Sequence, residues 1–232
     1  MERIRRSVVL LSGGCDSAVT LALARRECEE VYALTVAYGQ RHRVEIDCAA
    51  ALAASAGATA HRILEVDLSG WGGSSLTGHG PVPKDRTPEE AGAGVPPTYV
   101  PARNTILLAL ALAWAEVLEA EAIYIGVHVQ DAGGYPDTRP DYLEAFARTA
   151  ALATKAGREG RGPEIRAPLL HRAKGEVIAL GRDLGVDFAR TSSCYDPAPD
   201  GAPCGRCDSC RLRASGFREA GVVDPRAAAG EE

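Results

Sequence analysis

The sequence predicts an α/β fold, a parallel sheet flanked by helices, with a small cysteine-rich region added near its end. Two observations carry most of that expectation. Apolar segments of strand length alternate with alanine-rich segments of helical period as far as residue 184. A glycine turn, SGGCDS, stands directly between the first apolar run and the first helical stretch. A third observation is that four of the seven cysteines crowd beyond the alternating part, where they need an explanation of their own.

The elements follow in order. Ser7 to Leu11 is a short apolar run with β-branched residues, and Asp16 to Arg26 carries apolar residues at helical spacing, so the chain opens as strand, turn and helix. Val31 to Ala37 is a second strand, Val44 to Ala56 a helix stopped at Gly57, and Ala60 to Val66 a third strand. Asn104 to Leu118 is a helix, Ala122 to Val127 a fourth strand, and Asp141 to Ala156 a helix. Glu164 to Leu169 is a short fifth strand and Lys174 to Leu184 a last long helix. Residues 68–102, rich in Gly, Pro, Ser and Thr, make a connection far longer than the usual ~4–6 residues, a candidate lid. The expected organisation is an α/β domain over 1–190, a cysteine-rich region over 191–220 and a loose tail over 221–232.

With 232 residues, a net charge of −5 and 25% charged residues, the chain has the composition of one ordinary globular domain. The acidic balance argues against a surface for long nucleic acid. No window approaches the roughly 18 unbroken apolar residues of a membrane span, and the start lacks a signal-peptide core. The expectation is a cytoplasmic protein with no membrane or nucleic-acid partner.

Gly13 and Gly14 can turn successive backbone N–H groups inward as an anion-holding nest, next to the positive end of the first helix. Ser12 and Ser17 add hydroxyls, and Leu11 and Ala18 flank the turn. The site suits phosphate, yet neither G-x-x-x-x-G-K-[ST] nor G-x-G-x-x-G occurs in the chain, so it is a different phosphate loop. Cys15 within it reads as a small filler rather than a nucleophile, and Asp16 as an N-cap is the plain structural alternative.

Cys194, Cys204, Cys207 and Cys210 follow a C-x9-C-x2-C-x2-C spacing. Four thiolates close a tetrahedral Zn²⁺ site with no open position, the arrangement of one structural ion per chain. An iron–sulfur cluster is the rival, weakened because the next ferredoxin position is Ala214.

The S-G-G-x-D-S turn resembles the pyrophosphate-binding motif of the N-type ATP pyrophosphatases, the PP-loop superfamily. AYGQRH at Ala37 to His42, YVPARN at Tyr99 to Asn104, GYPDTRP at Gly134 to Pro140, PLLHRAKGEVI at Pro168 to Ile178, and SCYDP with PCGRCDSCRLR then follow in order. Together the motifs resemble the 7-cyano-7-deazaguanine synthase family, of QueC/ExsB type, over most of the chain. Departures are small: the family usually has cysteine before the arginine of GYPDTRP, and glycine is common before that of VPARN.

The resemblance implies a Rossmann-like sheet of the adenine nucleotide alpha hydrolase type. It also implies conversion of 7-carboxy-7-deazaguanine and ammonia to the nitrile at the expense of ATP with Mg²⁺, structural zinc, and a homodimer. Residues Leu11, Ser12, Gly13, Gly14, Cys15, Asp16, Ser17 and Ala18 would hold the nucleotide, and Asp16, Arg103 and Lys174 would serve catalysis. Gln40, Arg41, His42, Asn104, Asp131, Tyr135, Asp137 and Arg139 would meet the deazaguanine. His61, His79, His128 and His171 receive no role. The alternatives are another adenylating ligase of the same fold, acting on a different carboxylate, nucleic acid or protein, and a non-catalytic zinc-binding module.

Overall fold

The computed structural model describes residues 3–78, 80–128 and 134–227. Its strands are β1 (Ile4–Leu10), β2 (Cys28–Ala37), β3 (Ala60–Glu65), β4 (Ala122–Tyr124) and β5 (Glu164–Arg166). Its helices are α1 (Cys15–Glu27), α2 (Val44–Ser55), α3 (Pro88–Gly92), α4 (Arg103–Leu118), α5 (Pro140–Ala153), α6 (Lys155–Arg158), α7 (Lys174–Asp183) and α8 (Asp208–Glu219). The strands form one sheet in the order β3-β2-β1-β4-β5, and every pairing is parallel. The parallel sheet expected from the alternation is therefore present, with the Rossmann-like form that the resemblance implies.

The Val8–Leu10 end of β1 is an unbroken apolar run because helices cover both of its faces. Val8 and Leu10 face a core shared with Leu108, Leu112 and Phe146 of α4 and α5, while Val9 faces Leu21 of α1 and Leu52 of α2. A third cluster joins α1, α7 and α8 through Val19, Ile178 and Phe217. Strand order reverses at the β1–β4 pair, and the crevice beyond the carboxyl ends of the strands at such a reversal is the usual ligand position of these sheets.

Several expected boundaries move. Pairing in β4 ends at Tyr124 rather than Val127, because Gly126 passes so close to Asp16 that a Cβ there would lie 3.0 Å from the Asp16 carbonyl carbon. The helix expected over 141–156 breaks at Thr154, whose extended backbone stops α5 and whose hydroxyl accepts the Gly157 N–H to start α6. α8 is an element the sequence pattern did not announce: its buried stripe contains Cys210, Arg213, Gly216 and Phe217, only one of them a large apolar residue.

The 68–102 connection is packed rather than loose. Leu68, Leu76, Val82 and Val100 enter the main core, and α3 carries a complete capping box from Thr87 and Glu90. Residues expected in a loose tail are likewise tied down, since Asp224 pairs with Arg213 at 2.7 Å and Arg226 donates to Gly201 O at 2.6 Å. The end of the expected tail, residues 228–232, lies outside the described residues. No helix among the described residues is long and apolar enough to cross a membrane.

Candidate active site

The turn after β1 needs glycine at its first position. Gly13 has φ +88°, and a Cβ there would lie 2.1 Å from the Glu45 carbonyl oxygen, so α2 starts directly against the turn. The Gly13 carbonyl accepts the Ser192 N–H at 2.9 Å, which lays the Thr191–Ser193 segment along the other side. Within the turn, the Ser12 hydroxyl donates to Ser17 Oγ at 3.1 Å and Ser17 donates to Gly14 O at 3.0 Å. Leu11 and Ala18 sit buried beneath, and the Cys15 side chain points inward, 1% exposed.

Asp16 is the charged centre. Lys174, the first residue of α7, brings Nζ within 2.6 and 2.7 Å of the two Asp16 carboxylate oxygens, and His128 Nε2 stands 3.7 Å away. Lys174 is 5% exposed. Burial pushes the Asp16 carboxyl up, but the Lys174 charge, aided by His128, outweighs it and holds the carboxyl well below the usual carboxylate range. Lys174 reaches this place because α7 and α8 cross where Gly216 has no side chain: a Cβ on Gly216 would lie 2.5 Å from Lys174 Cγ.

Across the crevice, Tyr38 follows β2 and Arg103 opens α4. The Arg103 guanidinium lies 5.4 Å from the Tyr38 ring centroid and donates to its hydroxyl at 3.1 Å. Burial pushes the Tyr38 phenol up to about 12, so the ring stays neutral. Arg103 Nε is buried without a hydrogen-bond partner. Tyr135 lies nearby, its hydroxyl 3.0 Å from Thr98 Oγ1 and its ring 5.9 Å from Tyr99.

The other residues expected at the substrate are mostly committed elsewhere. Gln40 accepts the Tyr38 N–H at 2.7 Å and donates to Glu45 Oε1 at 2.9 Å, fastening the turn between β2 and α2. His42, 4% exposed, pairs with Glu45 at 3.2 Å and leaves Nδ1 without a partner. Arg41 donates to Gly80 O at 2.8 Å.

Asp137, 5% exposed, accepts the Asn104 N–H at 2.9 Å and its side-chain amide at 3.2 Å, so its carboxylate caps α4. This happens because α4 lacks a side-chain cap of its own and is entered through Ala102 in the left-handed region. Arg139 is exposed and pairs with Asp141 at 3.3 Å. Asp131 and His79 lie outside the described residues.

The four cysteines converge as their spacing suggests. The ligand atoms of Cys194, Cys204, Cys207 and Cys210 lie within 4.8 Å of one another, a set that could hold a metal ion. The Cys194 sulfur accepts N–H groups from Cys204 at 3.2 Å and Asp196 at 3.4 Å, and the Cys204 sulfur accepts from Cys207 at 3.4 Å. Thiol hydrogen bonds from Cys207 and Cys210, with those amides, hold the Cys194 thiol below its ordinary value. Buried sulfurs bathed in N–H donors suit thiolate ligands. The 68–102 connection is stitched to this centre by the Lys84–Cys207 bridge, the Asp85 N–H on Arg206 O, and Arg86 on Asp208.

His128, Tyr38, Glu45 and Ser192 belong to the crevice and were not anticipated. His128 follows the shortest possible strand and carries no local pattern; the only sequence signal was its position just past the fourth apolar run.

The model of the family described as "Queuosine biosynthesis protein QueC" matches residues 6–221. The 7-cyano-7-deazaguanine synthase of Syntrophus aciditrophicus (strain SB) is 55% identical over 226 residues, covering 97% of this chain and 98% of that protein. The one of Paramagnetospirillum magneticum is 55% identical over 222 residues, covering 96% and 98%. That of Stenotrophomonas maltophilia (strain K279a) is 54% identical over 222 residues, again covering 96% and 98%. Among solved structures, NMN synthetase from Francisella tularensis is similar with a TM-score of 0.49 and 16% identity, covering 97% of this chain and 81% of that one.

Proposed function

Since the chain belongs to the family of queuosine biosynthesis protein QueC, we propose that its crevice activates a 7-deazaguanine carboxylate with ATP and passes it to ammonia. The reaction is the ATP-dependent formation of 7-cyano-7-deazaguanine, a carbon–nitrogen ligation that serves queuosine biosynthesis. Substrate, nitrogen donor and residue roles are our reading. The single observation that carries them is the Asp16–Lys174 pair set beside a glycine phosphate loop at the strand-order reversal.

In this reading the N–H groups of residues 12–17 and the hydroxyls of Ser12 and Ser17 receive the phosphates. Lys174 releases part of its hold on Asp16 to meet the charge that grows on departing pyrophosphate, a preorganised cation in a partly dry site. A magnesium ion arriving with the nucleotide would find the Asp16 carboxylate and offset phosphate charge there. Arg103, stacked on Tyr38 and carrying an unpartnered Nε, faces the opposite wall and serves the carboxylate under activation. Tyr135 offers a ring for stacking on the heterocycle. His42 presents an unpartnered Nδ1 to the same wall.

Adenylation of the carboxylate and attack by ammonia, which expels AMP, yield an amide; adenylation of the amide oxygen, which then leaves on AMP with loss of the two amide protons, yields the nitrile. Exclusion of water protects each activated species, a task that suits the packed 68–102 segment.

The cysteine set fits zinc: it offers four soft ligands, no open position and amide donors to the sulfurs. Zinc there would supply folding free energy rather than chemistry. We carry a homodimer and a cytoplasmic setting as parts of the same proposal; sedimentation of the zinc-loaded protein checks the former and cell fractionation the latter.

The test is a mass-resolved assay of zinc-loaded protein with 7-carboxy-7-deazaguanine, ammonium and Mg-ATP. Nitrile with AMP and pyrophosphate supports adenylation at this site. Nitrile with ADP would overturn the adenylate route, and ATP consumed only with another carboxylate would overturn the substrate.

A further inference from the structure

Arg213, on α8, is 5% exposed, and all five of its N–H donors are used. Nε and Nη2 each reach an Asp224 oxygen at 2.7 Å. Nη2 also donates to Phe188 O at 3.2 Å. Nη1 donates to Thr191 Oγ1 at 2.7 Å and to Cys15 Sγ at 2.9 Å. The guanidinium lies 5.0 Å from the Phe217 ring centroid.

The two Nη1 acceptors belong to the two walls of the phosphate loop. Cys15 stands between Gly14 and Asp16, and Thr191 precedes Ser192, whose N–H is bound to Gly13 O. Arg226 holds the same Thr191 from the other side, donating to its carbonyl at 3.3 Å. A planar fork with fixed donor directions sets the distance between two acceptors in a way a lysine could not.

We propose that Arg213, aimed by Asp224, is a positioning residue for the phosphate loop: it fixes the spacing between the Gly14–Asp16 turn and the Thr191–Ser192 segment at which the triphosphate is received. The inference rests on the reading of that turn as the nucleotide site. It gives Cys15 a function as a hydrogen-bond acceptor facing away from the ligand. It also makes α8 a double support, since the same helix carries Gly216 beneath Lys174.

The experiment measures ATP binding by calorimetry to the full-length, zinc-loaded protein without the second substrate, alongside steady-state KM values. Arg213→Lys and Asp224→Asn should weaken ATP by on the order of 10- to 100-fold, as small displacements of a positioned site do. KM for the carboxylate should stay at the parent value, and bound zinc should be retained. Because either variant could fail to fold, Cys15→Ala and Cys15→Ser form a second arm. The alanine variant should weaken ATP, and serine, which restores an acceptor, should recover it.

Folded, zinc-bound Asp224→Asn with parental ATP affinity would overturn the proposal, as would KM values for both substrates rising together. So would equal ATP affinity in the Cys15 pair. If the parent itself bound no ATP, the nucleotide-site reading would fall first, and the role of Arg213 with it.

Discussion

Lys174 and Asp16 meet end to end: one ammonium touches both oxygens of one carboxylate, at 2.6 and 2.7 Å, across 158 residues of sequence. Lys174 is almost wholly buried, whereas the Asp16 side chain is a quarter exposed. Asp16→Asn therefore removes the carboxylate charge that faces a buried cation. We expect it to cost about 2–4 kcal/mol of stability, below the full figure for a buried pair because Asp16 reaches water. The double variant Asp16→Asn with Lys174→Met should recover most of that loss in urea unfolding while remaining inactive. A double variant no more stable than the single one would show that the pair is held for its attraction alone.

The pair also sets an acid limit. The Asp16 carboxyl is lowered in the folded protein, so its contribution is fully present above the unfolded value of about 3.9 and is lost as pH falls through the lower folded value. The stability gap between the parent and the double variant should be constant near neutrality and close only in strong acid. Unfolding curves collected down the acid range check this; a gap that closes near neutral pH contradicts it.

Gly13→Ala places a methyl group on the Glu45 carbonyl and asks alanine to adopt φ +88°. The conformational strain alone is about 1–3 kcal/mol, before the clash is relieved. Loss of ATP binding together with a lowered Tm is the expected outcome, read by calorimetry and thermal unfolding. Parental ATP affinity in this variant would mean that the turn relaxes without moving its N–H groups.

Cys207 is fully buried, and its segment is bonded to residues 84–86. Cys207→Ser, or chelation of the parent, should therefore do more than release metal: hydrogen exchange and tryptic cleavage after Lys84 and Arg86 should quicken. Cleavage at the same rate with and without metal would separate the 68–102 segment from the cysteine centre.

Asp137→Ala removes the acceptor for the Asn104 N–H at the start of α4. A lost helix cap costs about 0.5–2 kcal/mol. Thermal unfolding should show that loss even with no ligand present. Unchanged stability together with a raised KM for the deazaguanine would return Asp137 to the substrate.

The parts of the molecule legible in the sequence are those in which neighbours in the chain are neighbours in space. β1, the glycine turn and α1 form such a unit, and so do the three closely spaced cysteines near the start of α8. The resemblance located Asp16 and Lys174, which no local pattern could join. The remaining features depended on distant partners. His128 acquires meaning only beside Asp16, and Arg213 finds Cys15 across 198 residues. α8 escaped notice because an arginine occupies its buried stripe, and that arginine is satisfied there because Asp224 and the Cys15 sulfur receive it. The resemblance and its place after the fourth strand assign Asp137 to the substrate; its bonds to the unmet amides of α4 join residues 33 apart and carry no local pattern.

The chain of bonds from Cys15 through Arg213 to Asp224, with Arg226 on Thr191, ties residues made early to residues made much later. During synthesis the glycine turn leaves the ribosome while its buttress is still untranslated. Chains generally fold from the N-terminus as they emerge, so the sheet has time to assemble around a loop that lacks its final shape. If Arg213 positions the loop as proposed, competence for the nucleotide waits on the synthesis of Asp224. A chain shortened before Asp224 would then be a folded sheet with an unfinished loop, unable to spend ATP.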